Sequence, residues 1–373
     1  RVFQRQMLSD AGIDRKQIPK LDGFTSHPTL VGYRRVIDKR LNLIQPLPFA
    51  TVDTPVKPEQ IATSLRLVEH VFGEQYEDGL NYLQVLVTEP YLKLPILALV
   101  SREQGTGKTT FITWLETILG DNAARISHDD LMGNFNSHFA RKILVTFDEA
   151  FFDRKLATER LKELTTATTI QYRQKFADAY TIPCHLHFII TSNDETSFTR
   201  IDRHEERYWV RVLPTISDRD FRIMDKLTRE IPFFLRFLAD RPRFTQEGRF
   251  TLDTSRLETE GLKKLKIESE PELAKELKLL IQDWFANNSF DELAATAGDI
   301  KERWFERDSR ISRSYIMATI RAHLPHDEKS MLRYRQLLFE NSNTRVGRVV
   351  FSFKRCDFLG ANLPPSMRDE MPF

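Results

Sequence analysis

The chain lacks most of the features that would set it apart from ordinary globular proteins. It has two cysteines in 373 residues, Cys184 and Cys356, far apart and without partner spacing. They are too few for a zinc knuckle, and an isolated disulfide is unusual in a reducing compartment, so a reduced, intracellular protein is expected. Long hydrophobic runs are missing as well. The longest, Leu92 to Val100, is broken by Lys93 and Pro95 and falls well short of the ~20 residues that span a bilayer, so no membrane partner is expected. The first twenty residues carry no hydrophobic block of the signal-peptide kind. They open on Arg1 instead of methionine, as a fragment with a domain upstream would. There is no internal repeat and no low-complexity tract. Net charge is small, +2, but unevenly spread. Residues 301–355 hold thirteen Lys or Arg against six Asp or Glu, a surplus of seven that leaves the remainder five negative. A basic segment on an acidic body points to a polyanion contact, although a solvated charged face would read the same way.

What is present is a soluble composition, 41% hydrophobic and 29% charged, on a chain long enough for two or three domains. Residues 1–58 are punctuated by prolines at 19, 28, 46, 48, 55 and 58 and read as irregular. From Pro58, Ile61, Leu65, Val68, Val71 and Phe72 recur at helical spacing, then Leu80, Leu83 and Val87, predicting two helices that end near Glu89-Pro90. Short apolar runs follow at Leu94–Val100, Ile143–Phe147, Leu186–Thr191 and Tyr208–Leu213, with a helical segment at Phe111–Leu119. Apolar strands separated by helices predict a mainly parallel α/β sheet flanked on both sides. Beyond Pro214 the chain reads as helix, including Pro271–Phe285, until the strand-like alternation around Val349, Phe351 and Phe353. That ending would suit a winged helix. The expected division is 1–89 as an N-terminal extension and helical subdomain, 90–214 as the core, and 215–373 as a mostly helical C-terminal domain.

The chemistry centres on Gly105-Thr106-Gly107-Lys108-Thr109-Thr110, placed after one apolar run and before a helix. A triphosphate needs inward-pointing backbone N–H groups, a helix N-terminus, a lysine for the β- and γ-phosphates and a hydroxyl for Mg²⁺. Lys108 and Thr109 suit the last two roles. The usual P-loop pattern wants a glycine five residues before Gly107, where this chain has Arg102. Next, Ile143–Phe147 ends in Asp148-Glu149: one carboxylate can hold the Mg²⁺ shell and the other can orient and deprotonate water, although the same pair could cap a helix. A third apolar run ends in Asn193, which can touch the γ-phosphate or the attacking water, or simply form a turn. Arginines follow at 200, 203, 207 and 211. Arg207 is the first choice, and Arg203 the second, for a guanidinium supplied to a neighbouring subunit's phosphates; Arg211 reads as a surface residue. His185 and His187 share a strand face but lack a third ligand nearby, so burial or a hydrogen bond is expected instead of a metal. His128-Asp129-Asp130 reads as a helix start. Phe151-Phe152 and Phe233-Phe234 read as packing.

Taken in order, Gly-Thr-Gly-Lys-Thr, Phe147-Asp-Glu, Tyr172-Arg-Gln-Lys-Phe176, Thr191-Ser-Asn193 and Ile201-Asp-x-x-Glu-x-Arg207-Tyr-Trp-Val resemble superfamily 3 helicases. More narrowly, with Pro90–Ser101 and Phe135-Asn136, they resemble the helicase part of phage and plasmid primase–helicase proteins, over roughly residues 60–214. The resemblance implies an AAA+-like P-loop core and a hexameric ring working on single-stranded or forked DNA with ATP and Mg²⁺. It implies a bacterial cytoplasm, and an upstream primase-polymerase domain or replication partners. It places Lys108, Thr109, Asp148 and Glu149 at phosphate, metal and water, Asn193 as sensor and Arg207 as finger. Lys175, with Arg173 as a rival, would reach DNA in the pore. Two other readings stay open: a monomeric P-loop nucleotide or metabolite phosphotransferase, and a non-hydrolysing, nucleotide-regulated DNA-binding module.

Overall fold

The computed structural model describes residues 21–28, 31–149, 155–202, 205–242, 249–339 and 343–359. They divide into two compact units, residues 1–269 and 270–373. The division expected at 214 therefore falls some fifty residues later. The reason is the helix Ile223–Asp240, whose apolar face packs on the helices of the first unit.

The first unit opens with three short strands, β1 (Gly23–Thr25), β2 (Val36–Ile37) and β3 (Arg40–Asn42), paired in the order β1-β3-β2. This region is more ordered than its prolines suggest. Buried Asn42 acts as its clasp, accepting the His27 N–H at 3.0 Å and donating to the carbonyls of His27 (2.9 Å) and Arg34 (3.2 Å). Helices α1 (Ala62–Phe72) and α2 (Tyr76–Thr88) come next, burying Leu67, Val68, Val71 and Phe72 on one, and Leu80, Leu83 and Val87 on the other.

The core then runs β4 (Ile96–Val100), α3 (Lys108–Leu119), β5 (Ala123–Arg125), α4 (His128–Met132), β6 (Leu144–Phe147), α5 (Lys155–Thr166), the hairpin β7 (Thr169–Tyr172) and β8 (Tyr180–Pro183), then β9 (His187–Ser192) and β10 (Tyr208–Val212). Five strands form one sheet in the order β10-β4-β9-β6-β5, with every pairing parallel. All residues of β4, β6 and β9 are buried, as a strand covered on both faces requires. Period-2 alternation sends Leu97 and Leu99 into a core with Phe72, Phe111, Trp114 and Trp209, and Ile96, Ala98 and Val100 into a second with Leu161, Phe188 and Ile190. Two helices close the unit. The long α6 (Ile223–Asp240) buries Leu227, Ile231 and Phe234 in the first core, and α7 (Glu260–Glu268) buries Leu262 and Leu265 in the second. Residues 215–269 thus complete the two cores on either side of the sheet.

The second unit has the order α8 (Glu272–Asn287), β11 (Glu292–Ala295), α9 (Ala297–Trp304), α10 (Arg313–His323), β12 (Asp327–Arg335), β13 (Thr344–Lys354) and α11 (Arg355–Leu359). Its antiparallel sheet runs β11-β13-β12 over a core that includes Leu277, Ile281, Phe285, Ile300, Ile316, Phe351 and Phe353. No helix among the described residues is long and apolar enough to cross a membrane.

Several side chains differ from expectation or give it a cause. Arg211, read as a surface residue, is buried: Nη1 donates to Glu74 and Gln75, both at 2.7 Å, and Nε to the Val71 carbonyl at 3.2 Å. These partners offset the cost of burying the charge. α4 starts where expected, with Ser127 and Asp130 satisfying each other's backbone N–H groups. Phe234 is core and Phe233 packs against it, whereas Phe151-Phe152 and Arg203 lie outside the described residues. No group of three or more His, Cys, Asp or Glu side chains placed to hold a metal occurs among the described residues. His187 is fully buried, its Nε2 donating to the Pro90 carbonyl at 2.9 Å, and His185 Nε2 meets the Ser26 carbonyl at 3.2 Å.

Burial, opposed by the hydrogen bond to Pro90 and aided by nearby Lys93 and His185, pushes the His187 pKa down to about 3. The unfolded chain takes up a proton near pH 6.5 that the fold refuses, so stability is full above pH 6.5 and lost as pH falls towards 3. The expected slope from this group is about 1.4 kcal/mol per pH unit. Denaturant unfolding at pH 7.0 and 5.5 should show a smaller loss for His187→Gln than for the native chain; equal losses would contradict the assignment.

Candidate active site

Parallel pairing of β4, β9 and β6 places their C-terminal ends side by side. Val100 pairs with Ser192 and Phe147 with Ile190, so the segments after all three strands leave the sheet on one edge. In doubly wound sheets ligands bind at that edge.

The phosphate loop follows β4. Its two left-handed positions are Gly105 (φ 72°) and Gly107 (φ 84°), while Arg102 does not adopt a positive φ. The glycine missing at 102 is therefore not needed for the turn; Arg102 leans outward on Glu195, which also accepts its N–H at 3.2 Å. α3 begins at Lys108 with no side chain capping its first N–H groups, which leaves them for an anion. Lys108 is buried, with Nζ 3.2 Å from the Ser101 carbonyl and 3.4 Å from that of Glu103. Burial lowers its pKa, opposed by the charges of Glu149, Asp148 and Glu195. Thr106 is buried, and His70 of α1 lies 2.9 Å from its carbonyl. Thr110 is half-buried on the first turn of α3.

Asp148 and Glu149 lie just past β6. Asp148 Oδ1 accepts from Thr191 Oγ1 at 2.7 Å and lies 3.4 Å from Thr109 Oγ1, while Oδ2 accepts from Arg125 at 3.0 Å. A hydroxyl and a carboxylate side by side are the oxygen donors a hard divalent cation takes, so the set suits Mg²⁺. Glu149 adopts φ 53°, a left-handed conformation that costs a non-glycine residue about 1–2 kcal/mol. Its N–H donates to Thr191 Oγ1 at 3.1 Å, and its carboxylate meets Asn193 Nδ2 at 3.4 Å. Lys108, Thr109, Asp148, Glu149 and Asn193 thus form one cluster.

Arg207 stands elsewhere. It precedes β10, which runs parallel to β4 with Tyr208 beside Ile96, so it lies at the opposite edge of the sheet. Crossing the five residues of β4 spans about 16 Å. Its Nη1 donates to Glu205 at 2.8 Å, and buried Lys162 holds the other Glu205 oxygen at 3.1 Å. Burial raises the Glu205 pKa, but the Arg207 hydrogen bonds and the Lys162 charge prevail and it is lowered. Arg200 is exposed.

Lys175 and Arg173 lie in the loop of the antiparallel β7–β8 hairpin. The preceding loop grips the hairpin through Asn136, whose Nδ2 donates to Gln171 O at 2.7 Å while Oδ1 accepts the Arg173 N–H at 2.8 Å; the Asn136 N–H donates to Arg173 O at 3.1 Å. Lys175 Nζ lies 5.8 Å from the centre of the exposed Phe135 ring, and Phe176 is fully exposed. A cation flanked by two open aromatic faces can meet both phosphate and base.

Sequence reasoning missed Thr191, whose single hydroxyl ties Asp148 to the Glu149 amide; as part of Thr-Ser-Asn it was readable. It also missed Arg125, bonded to both Glu116 oxygens (3.0 and 2.8 Å) as well as to Asp148. Nothing in the local sequence marks that residue.

A family of unknown function (DUF5906) matches residues 99–207, the stretch that runs from β4 to Arg207. No curated protein matches the chain. Among solved structures, the apo structure of the NrS-1 C-terminal region (305–718) is 19% identical with a TM-score of 0.57, covering 87% of this chain and 77% of that one. An A-form apo structure of the same region is 19% identical with a TM-score of 0.58, covering 87% and 81%. At that identity the likeness is one of fold, and it extends over both units.

Asn136→Ala should leave the Arg173 N–H and Gln171 O without their partner. Losing such a part-buried bond costs about 0.5–1.5 kcal/mol, so exchange of the Arg173 amide should quicken about two- to tenfold. An unchanged exchange rate would show that the hairpin is held without Asn136.

Proposed function

We propose that this chain is an ATP-driven motor acting on DNA, the helicase part of a phage- or plasmid-type replication protein that works as a ring, with a hexamer as the expected form. The reading is carried by the cluster at one sheet edge, where Lys108, Thr109, Asp148, Glu149 and Asn193 converge from three adjacent strands. In this role the N–H groups of Gly105–Thr110 and Lys108 Nζ hold the β- and γ-phosphates, and Thr109 and Asp148 hold the metal. Bound Mg²⁺ supplies charge neutralisation across the phosphate oxygens. Asn193 and Glu149 orient a water; as its oxygen bonds to the γ-phosphorus and the bond to ADP breaks, Glu149 takes the proton.

Arg207 supports the ring. It is too far from its own phosphate loop to serve it, so a finger role requires a second copy whose loop faces the other edge. Arg173 and Lys175, with Phe135 and Phe176, supply the strand-contacting hairpin. The order helix–strand–helix–helix–strand–strand in residues 270–359 suits a winged helix, and we assign the polyanion contact of 301–355 to it. Several of its cations are engaged locally, among them those in the pairs Arg310–Asp308, Arg321–Glu328, Arg345–Asp299 and Lys354–Asp327; of the others, we take Arg313, Lys329, Arg333 and Arg348 as the contacts to test.

Steady-state ATP hydrolysis with and without single-stranded DNA tests the motor. DNA should raise the native rate several-fold, Lys108→Ala should be inactive, and Arg207→Ala should bind ATP but not turn it over. Arg207→Ala should fold, because Lys162 still neutralises Glu205. Hydrolysis indifferent to DNA by a monomer would favour a phosphotransferase, and no phosphate release at saturating DNA would favour a non-hydrolysing module. For the second unit, neutralising Arg313, Lys329, Arg333 and Arg348 together should weaken DNA binding and flatten its salt dependence; an unchanged slope would make the segment a solvated face.

A further inference from the structure

The segment linking β10 to α6 folds over the phosphate loop. The Ile216 N–H faces the Gly105 carbonyl at 3.4 Å, and Ile216 Cδ1 lies where a side chain at Gly107 would begin, 3.2 Å from an added Cβ. Three residues on, the Arg219 guanidinium sits on Gly105: a Cβ there would come within 2.7 Å of Cζ and overlap Nη2. Gly105 is thus constrained twice, by its left-handed φ and by the arginine against its α-carbon.

Arg219 is exposed, and no hydrogen bond or ion pair engages it among the described residues. The adjacent carboxylate of Asp220 is taken by Lys226 Nζ at 2.6 Å and by the Arg222 N–H at 2.9 Å. Glu195, the carboxylate near the far side of the loop, is engaged by Arg102. A guanidinium without a hydrogen-bond or ion-pair partner among the described residues therefore stands over Gly105, on the loop that leads into the uncapped N-terminus of α3, adding positive charge to a place that already favours an anion. The linker is anchored at both ends, by Val212 pairing with Val100 and by the buried apolar face of α6, and Ile216 rests on the loop between them, which keeps Arg219 within reach of it.

We propose that Arg219 is a polyphosphate-binding residue supplied in cis. Its planar fork closes from Gly105 over the terminal phosphate oxygens of a nucleoside triphosphate, and nucleotide binding thereby clamps the 214–222 linker onto the loop. A guanidinium suits this position because it can donate two parallel hydrogen bonds to one phosphate, which an ammonium cannot. The proposal rests on the nucleotide-site reading above and adds a residue that none of the loop, carboxylate, sensor or finger motifs contains.

Equilibrium binding of a fluorescent ATP analogue with Mg²⁺, compared with the matching ADP analogue, tests it. Arg219→Ala should weaken ATP binding at least tenfold and ADP binding less, and Arg219→Lys should recover part of the loss. Thermal unfolding without nucleotide should stay near that of the native chain; if the alanine variant fails to fold, Arg219→Gln and Arg219→Lys carry the comparison. ATP affinity within twofold of native in the folded Arg219 variants, with binding abolished in Lys108→Ala, would overturn this inference alone. If Lys108→Ala also binds normally, the nucleotide-site reading falls with it. An equal loss for ATP and ADP would overturn the contact with the terminal phosphate.

Discussion

The parallel register of β4, β9 and β6 is the constraint on which the rest of the first unit depends. Each strand is short, buried on both faces and hydrogen-bonded to its neighbour in step, so their C-terminal ends cannot separate without breaking the ladder. Groups far apart in sequence, from Lys108 to Asn193, are thereby brought to one edge and tied there by short polar links. The hydroxyl of Thr191 is the clearest of these, bonded to a carboxylate on one residue and to the amide of the next. The strained backbone of Glu149 is tolerated because those links over-determine it.

Much of this core was legible beforehand, for a physical reason. A strand buried on both faces must be apolar throughout, and β4, β6 and β9 announced themselves as short apolar runs, each ending in the polar residues of the cluster. The hairpin was harder to see, because β7 and β8 are half exposed and too short for alternation to stand out. Arg211 was misread because its partners, Glu74 and Gln75, lie about 136 residues earlier. Arg219 escaped notice for a related reason: its importance comes from a crossing of the chain over Gly105 that no local pattern encodes. The division at 214 failed because a proline ending a strand resembles a domain boundary, whereas the apolar stripe of α6 belongs to the core that precedes it.

Charge is arranged differently at the two edges of the sheet. At the loop edge, Lys108 lies under the uncapped start of α3 with no ion pair of its own among the described residues, as suits a site that receives an anion. At the opposite edge Arg207 shares the buried Glu205 with Lys162, so its guanidinium is oriented before any second copy arrives. A cation is left open at one edge and pre-set at the other.

The Asn136 clasp has a mechanical consequence. The β7–β8 hairpin projects Lys175 outward, yet its base is bonded to a loop that enters the core at Phe139 and Ala140 and becomes β6 at Leu144. From Asn136 to Asp148 is only twelve residues, the last of them a strand locked on both sides. A pull on the hairpin tip therefore has a short and stiff load path to the two carboxylates, one that bypasses the longer covalent route through α5.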